Sequence, residues 1–251
     1  MNYPASRGRL GLCVMVCLFF AVFAAPALGD VKSYTTAVAE YELSYDDVFG
    51  EPSPSTPFFG KMKEFSALSK DGGSPELTDG TLCVTVTPLP GTVLGTITFR
   101  EGGDYKLVGA INQTSEAYVM AMLFVDTFAL VNRPGLTQEK VPLDKQLVTF
   151  EYSATLGPAF SDITDAGYWS LACEVNITDV LAAAGLERDD VATYQFSINN
   201  TLIASSESIS TAYIEKKDFI LEDEATVLIP EPSIFTLLLA GCCIMVARRR
   251  K

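Results

Sequence analysis

The sequence of 251 residues predicts an all-β fold, an antiparallel β-sandwich of the jelly-roll type with one short helix, flanked by an apolar segment at each end. Between residues 81 and 221 apolar and polar residues alternate in short runs, which is the period of a strand with one buried face. Clusters of glycine, proline and acidic residues separate the runs, as turns separate antiparallel strands. So many strands favour a sandwich over an α/β fold.

The first three alternating runs cover 81–87, 93–99 and 105–111. Glu101-Gly102-Gly103-Asp104 lies between the second and the third run and has the composition of a turn. Three consecutive strands joined by short turns predict an antiparallel meander.

The later elements are longer. An almost continuous apolar run at 118–131 predicts either one strand buried on both faces or two strands that bend near Asp126. A helix that crosses between strands is predicted to begin at Thr178 or Asp179 and to end at Gly185. Further strands are predicted at 147–156, 168–177, 193–204 and 211–221.

The last of these strands carries a weak resemblance of its own. Residues 211–221 are similar to the final strand of jelly-roll carbohydrate-binding modules, but Lys216 and Lys217 interrupt the pattern. An edge strand of the sandwich is the alternative interpretation. Residues 31–80 are less regular and show no boundary that would divide the domain.

The N-terminus has the three parts of a signal peptide, predicted to cover residues 1–29. Two arginines precede an apolar run at 10–25, and small residues end the segment. Signal peptidase is therefore expected to cut between Gly29 and Asp30. The alternative is an uncleaved N-terminal anchor, since the apolar run approaches the length of a membrane span.

The C-terminal tail, residues 227–251, contains three ordered elements. They are Pro230-Glu231-Pro232, an uncharged apolar stretch at 234–247, and the basic cluster Arg248-Arg249-Arg250-Lys251. The prolines keep Glu231 extended and outside any helix. The basic cluster is expected to stay in the cytoplasm, because positive charge is retained on that side of a membrane.

This order of elements resembles the PEP-CTERM sorting signal, the substrate of membrane proteases called exosortases. The resemblance covers about 25 residues. It implies that Pro230, Glu231 and Pro232 form the sorting motif, that 234–247 is a short transmembrane helix and that an exosortase-like protease is a partner. A single-pass anchor that is never cut is the alternative.

Charge and composition exclude several classes of function. Twelve of the 18 basic residues but all 31 acidic ones lie between residues 30 and 232, which gives this segment a formal charge of −19. A nucleic acid is therefore a poor partner, whereas cations, neutral glycans and basic surfaces remain. The chain contains no histidine, which excludes Ser/His/Asp and Cys/His triads and histidine-ligated metals.

Cysteines and acidic pairs supply the remaining candidates. Once both terminal segments are removed, Cys83 and Cys173 are left, and they form either a disulfide or two buried, inert thiols. Their predicted faces differ, since Cys83 lies on the threonine face of its strand. Three acidic clusters offer oxygen ligands for Ca²⁺ but follow no calcium-loop pattern, so no cofactor is expected. They are Asp46-Asp47, Asp189-Asp190 and Glu222-Asp223-Glu224.

The sequence thus predicts an exported domain at 30–226 without enzymatic activity. It is expected to be anchored in the membrane through 234–247 before processing, and then to reside at the cell surface or in an extracellular matrix. A structural or glycan-binding role in an exopolysaccharide layer follows by analogy. The alternatives are an unprocessed anchored envelope protein and a secreted polysaccharide-active enzyme that uses two carboxylates.

Overall fold

The structure is a computed structural model that describes residues 31–109, 116–132, 138–143, 148–156 and 163–227. Several predictions lie outside these residues: the cleavage site Gly29/Asp30, the sorting motif Pro230 to Pro232, the helix at 234–247 and the basic cluster Arg248 to Lys251. Within the described ranges, no helix has the length and apolar character that a membrane crossing requires.

The described residues form thirteen strands, one α-helix and two short 3₁₀ segments, at Asp47–Phe49 and Arg188–Asp190. In chain order the strands and the helix are β1 Val31–Thr35, β2 Ala39–Tyr45, β3 Phe58–Phe59, β4 Ser66–Lys70, β5 Glu76–Pro88, β6 Thr92–Gly109, β7 Ala117–Val131, β8 Glu139–Pro142, β9 Val148–Leu156, β10 Ile163–Asn176, α1 Ile177–Ala184, β11 Val191–Ser206, β12 Thr211–Glu215 and β13 Asp218–Val227.

The strands form two antiparallel sheets, as the alternating pattern predicts. Sheet A has the order β1-β2-β5-β11-β7, and β8 and β9 both pair with the outer edge of β7. In sheet B, β10 pairs along one edge of β6, and β12 and β13 follow one another along its other edge. Outside them lie β4, beside β12, and β3, beside β13. The all-β prediction is confirmed.

The inner faces of the two sheets share one hydrophobic core, which extends from Tyr34 to Leu221. Phe99 of sheet B packs against Phe196 of sheet A with ring centroids 5.2 Å apart. Trp169 is completely buried. Hydrogen bonds also cross the core, from Tyr41 to Asp223 and between Ser69 and Ser206. The sandwich is therefore held by both apolar and polar contacts between its layers.

The apolar run at 118–131 forms a single strand, β7, without a bend. Its alternate residues are buried in the core, and the residues between them are half-buried on the outer face of sheet A. The helix prediction is confirmed, with one correction to its start. Asn176 caps α1 by accepting a hydrogen bond from the backbone N–H of Asp179, and Gly185 ends the helix in the left-handed conformation.

The predicted meander is wrong. β5 lies in sheet A between β2 and β11, whereas the next two predicted strands are one 18-residue strand, β6, in sheet B. Glu101-Gly102-Gly103-Asp104 lies inside that strand and is not a turn. Glycine in a strand interior also marks a close approach of another backbone. That is its role here, because a Cβ at Gly103 would lie 1.9 Å from the carbonyl oxygen of Glu215.

The backbone that approaches Gly103 belongs to a β-bulge at the junction of β12 and β13. Ile214 pairs with Tyr105 and Asp218 pairs with Gly102, so three residues on one strand face two on β6. Because of the extra residue, the side chains of two consecutive lysines point to opposite faces of the sheet. Lys216 is buried, and Lys217 is half-exposed on the outer face. Both β12 and β13 have partners on each side, so the edge-strand alternative is wrong.

Gly103 gives the first test of this arrangement. Replacing it with alanine places a methyl group against the Glu215 carbonyl oxygen, and relief requires a backbone shift. We expect Gly103→Ala to lower the free energy of unfolding by about 2 kcal/mol, as measured by urea denaturation. Gly109→Ala on the same strand is the control, because its added methyl group would meet only the Leu156 side chain at 3.3 Å. Equal losses in the two variants would contradict the close-approach interpretation.

Candidate functional site

The outer surface of the bulge brings together polar and aromatic side chains from four strands. We call this surface the Tyr168 platform. It consists of Asp104 from β6, Tyr168 from β10, Tyr213 and Glu215 from β12, and Lys217 and Asp218 from the β12–β13 junction. The register explains the grouping, since Tyr168 pairs with Asp104 and Asp218 pairs with Gly102 on the central strand β6.

The ring of Tyr168 lies across the sheet. A Cβ at Gly102 would lie 2.1 Å from the phenol oxygen and 2.6 Å from Cζ of Tyr168, so the phenol end covers the glycine. The hydroxyl group donates a hydrogen bond of 2.9 Å to Oδ2 of Asp218, on the far side of β6. The side chain is nevertheless 57 % exposed. The platform therefore presents an aromatic side chain to solvent in a fixed orientation.

Charged groups surround this ring. Lys217 forms ion pairs with Asp104 and with Oε1 of Glu215, the latter at 3.3 Å. The hydrogen bond from Lys217 to Asp104 raises the pKa of the lysine above its ordinary value. Exposed pairs of this kind contribute little to stability. Their effect is to hold carboxylate and ammonium groups in place around the Tyr168 ring.

A second tyrosine extends the network along β12. Tyr213 donates a 2.7 Å hydrogen bond to Oε2 of Glu215, so this carboxylate binds both Tyr213 and Lys217. Burial and the Glu215 contact raise the pKa of Tyr213 to about 12. The phenol therefore stays protonated across the physiological range.

Backbone contacts beneath the platform fix its position. The buried Trp169 indole donates a hydrogen bond of 3.0 Å from Nε1 to the carbonyl oxygen of Glu215. The backbone N–H of Lys217 donates to the carbonyl oxygen of Gly102 at 2.8 Å. Neighbouring Tyr168 and Trp169 point to opposite faces of β10, so one anchors the bulge from within and the other covers it.

This arrangement suits the binding of a polyhydroxylated ligand. An exposed aromatic side chain offers apolar contact area with little conformational freedom to lose. Carboxylates accept strong hydrogen bonds from hydroxyl groups, and ammonium and phenol groups donate them. The platform presents carboxylate, ammonium and phenol groups together on the outer face of sheet B, beside the Tyr168 ring.

Cys83 and Cys173 lie on different faces of different sheets, and both remain thiols. Cys83 is half-buried on the outer face of β5, and Cys173 is buried on the inner face of β10. The predicted faces are therefore confirmed. Packed sheets lie about 10 Å apart, and Cys83 points away from the core, so the structure contains no bond between them. Burial raises the pKa of the Cys83 thiol.

In the described part of the chain, no group of three or more potential metal ligands converges, and the acidic clusters are no exception. Individual members of these clusters make contacts within the fold. Asp46 accepts a hydrogen bond of 2.7 Å from the backbone N–H of Thr81. Asp190 belongs to the capping box of its 3₁₀ segment, and Glu222 forms an ion pair of 3.1 Å with Arg100.

Sequence reasoning missed the platform. In the sequence, Tyr168 and Trp169 are only part of an alternating strand pattern, and the Gly102-Gly103 pair has the composition of a turn. A glycine pair inside an otherwise regular strand pattern was the available signal, since it marks a close backbone approach. The partner strand could not be identified from the sequence, because Lys216 and Lys217 lie more than 100 residues away.

No protein-family model and no curated protein matches the sequence. Among solved structures, the tailspike protein 4 enzymatically active domain of bacteriophage CBA120 is 10 % identical over 63 % of this chain, with a TM-score of 0.19. This chain spans only 20 % of that domain. A loop-swap mutant of Necallimastix patriciarum Xyn11A is 10 % identical, and the match covers 78 % of this chain and 96 % of that one, with a TM-score of 0.22.

A third solved structure is the family 22 carbohydrate-binding module of Clostridium thermocellum Xyn10B. It is 12 % identical, and the match covers 62 % of this chain and 87 % of the module, with a TM-score of 0.16. TM-scores this low do not establish a shared fold.

The Tyr168 phenol provides a direct test of the platform geometry. Burial and the hydrogen bond to Asp218 raise its pKa to about 12, so the protonated phenol is the form that the fold favours. This contribution to stability is complete below pH 10, the ordinary value, and is lost as the pH rises through about 12. We expect the difference in phenolate absorbance between the wild type and Tyr168→Phe to titrate near that upper value.

Asp218→Asn is the matched control, because it removes the charge that opposes ionisation and keeps the side-chain size. We expect it to shift the Tyr168 titration towards the ordinary value, without reaching it, since burial remains. A Tyr168 titration at the ordinary value in both proteins would contradict the geometry.

Proposed function

We propose that this protein is an exported surface or matrix protein that binds a neutral polysaccharide through the Tyr168 platform. The observation that carries the proposal is the exposed Tyr168 side chain, held across the sheet by Asp218 and surrounded by hydrogen-bonding groups. A jelly-roll form of the sandwich and export by the N-terminal signal peptide belong to the same proposal.

The charge of the chain favours a neutral ligand. The exported segment carries a formal charge of −19, which repels anionic polymers such as nucleic acids. A neutral glycan has hydroxyl groups for Asp104 and Lys217, and its C–H faces pack on an aromatic ring without a charge penalty. Calcium and other cofactors are not needed for such binding.

Binding without cleavage is the second part of the proposal. Each carboxylate of the platform already has a partner, since Asp104 pairs with Lys217, Glu215 binds Tyr213 and Lys217, and Asp218 accepts from Tyr168. Glycoside hydrolysis needs two carboxyl groups that contact opposite sides of the scissile bond. The carboxylates of the platform instead contact neighbouring side chains of the platform. The platform is therefore proposed as a binding surface and not as an active site.

The C-terminal tail is the basis for the proposed location of the protein. Its Pro-Glu-Pro motif, short apolar stretch and basic end support sorting by an exosortase-like protease. We propose that the chain is anchored through 234–247 until it is cut near Glu231. The sandwich then remains at the cell surface or in an exopolysaccharide layer.

Tyr168→Ala tests the binding proposal. Loss of the aromatic surface is expected to weaken affinity for a bound polysaccharide about tenfold or more, as measured by isothermal titration against a panel of soluble neutral glycans. Tyr168→Phe keeps the ring but loses the bond to Asp218, so we expect a smaller decrease.

The control removes a similar apolar area from the other sheet. Leu77→Ala truncates a side chain that is 55 % exposed on β5, and it is expected to leave the affinity unchanged. The binding proposal fails if Tyr168→Ala binds as tightly as the wild type, or if no glycan of the panel binds the wild-type protein.

Glu231→Ala tests the sorting proposal. The prolines still extend the chain in this variant, but the acidic group of the motif is gone, so precursor is expected to accumulate in the membrane fraction. Fractionation and mass spectrometry of both termini measure the result. Truncation after Ser233 is the control, because a chain without the apolar stretch and the basic cluster is expected in the soluble exported fraction. Release of Glu231→Ala with an unchanged mature C-terminus would contradict recognition by an exosortase.

A further inference from the structure

The core contains three polar side chains that meet at one nitrogen atom. Lys216 enters from the bulge of sheet B, Glu101 from the neighbouring strand β6, and Asn200 from β11 of sheet A. Oε2 of Glu101 lies 2.5 Å from Nζ of Lys216, and Oδ1 of Asn200 accepts a hydrogen bond from the same nitrogen. We call these residues the buried triad.

The triad is shielded from water. The exposed side-chain fractions of Lys216 and Glu101 are 0 % and 1 %, and Asn200 is 1 % exposed. Three aromatic rings surround the lysine nitrogen, with centroids at 5.0 to 5.4 Å: Phe49, Phe65 and Phe219.

The chain is arranged to admit this group of side chains. The backbone N–H of Lys216 donates a hydrogen bond of 2.9 Å to the carbonyl oxygen of Phe65, which fixes the start of the side chain. Asn200 pairs with Gly80 across sheet A. A Cβ at Gly80 would lie 2.6 Å from the Phe65 ring, so the glycine leaves space for the aromatic wall.

Two features distinguish the triad from an ordinary buried ion pair. Burial raises the pKa of Glu101 and lowers the pKa of Lys216, against their mutual attraction, and so favours an uncharged amine beside a protonated carboxyl group. In addition, Nδ2 of Asn200 is buried and has no hydrogen-bond partner among the described residues. A buried donor without an acceptor destabilises the folded state, because its hydration is lost and not replaced.

We propose that Lys216 and Asn200 react within the folded protein to form an amide bond that joins the two sheets, with Glu101 as the catalytic acid and base. Nζ of Lys216 attacks Cγ of Asn200. The new C–N bond forms as the bond between Cγ and Nδ2 breaks, and Nδ2 leaves as ammonia. This inference is independent of glycan binding.

The step balances without a further reactant. Glu101 takes up the proton that Nζ loses, and it gives its carboxyl proton to Nδ2 once attack has made Cγ tetrahedral and brought Nδ2 within reach, so that Nδ2 departs as ammonia. Glu101 is therefore regenerated, and no oxidant or reductant is needed. The fold supplies a high effective concentration of the amine at the amide, and the dry site suppresses competing hydrolysis.

Peptide mass spectrometry of the purified full-length chain tests the bond. A glutamate-specific protease cuts after Glu207 and Glu215, which separates the peptide 188–207, with Asn200, from the peptide 216–222, with Lys216. We expect these two peptides to remain joined after denaturation, with a mass about 17 Da below their sum because one ammonia is lost. Fragmentation of the joined peptides locates the linkage.

Glu101→Gln is the control, because it keeps the size of the side chain and cannot relay the proton. Near-ultraviolet circular dichroism, reporting on the buried Trp169, checks that this variant is folded. We expect its two peptides to separate with unmodified masses. Two unmodified, separate peptides from the wild-type protein overturn the proposal, whether or not the variant folds. Full linkage in folded Glu101→Gln overturns the role of Glu101.

Discussion

The structure depends on one buried lysine. Lys216 lies in the core with an exposed side-chain fraction of 0 %, between Glu101 of its own sheet and Asn200 of the opposite sheet. A lysine in this position is unfavourable unless its nitrogen is fully satisfied, because burial removes its hydration. The bulge between β12 and β13 is the backbone feature that makes the contact, since the extra residue turns Lys216 inwards while both strands remain paired with β6.

The same bulge forms the outer surface. As Lys216 turns inwards to Glu101, Lys217 turns outwards to Asp104, so two consecutive lysines contact β6 on opposite faces of the sheet. Gly102 and Gly103 permit this close approach, and the Tyr168 ring covers the space above Gly102. Core and platform therefore share one backbone feature. The backbone N–H of Lys217, the residue after Lys216, donates a hydrogen bond to the carbonyl oxygen of Gly102, which the Tyr168 ring covers.

Local sequence patterns were sufficient to predict the sandwich. Contacts between residues that are distant in sequence could not be predicted from them. Alternation along the strands and the glycine after α1 are signals within a few residues, and the structure confirms both. The continuity of the second and third predicted strands as one strand, β6, was not predictable, because Gly102-Gly103 has the same composition in a turn as at a close approach. Lys216 and Lys217 looked like an interruption of a strand, since neither Glu101 nor Asn200 is a neighbour in sequence. The platform depends on the pairing of the β12–β13 junction with β6. Because this pairing was not predicted, the platform was not predicted either.

A double-mutant cycle between Lys216→Met and Glu101→Leu tests most directly whether the buried pair holds the structure. The free energy of unfolding is measured in urea for the wild type, both single variants and the double variant. Each single variant leaves a polar group buried without its partner and is expected to lose about 3–5 kcal/mol. The double variant replaces both with apolar side chains, so it is expected to lose much less than the sum. Losses that simply add would show that the two side chains act independently and would contradict this account.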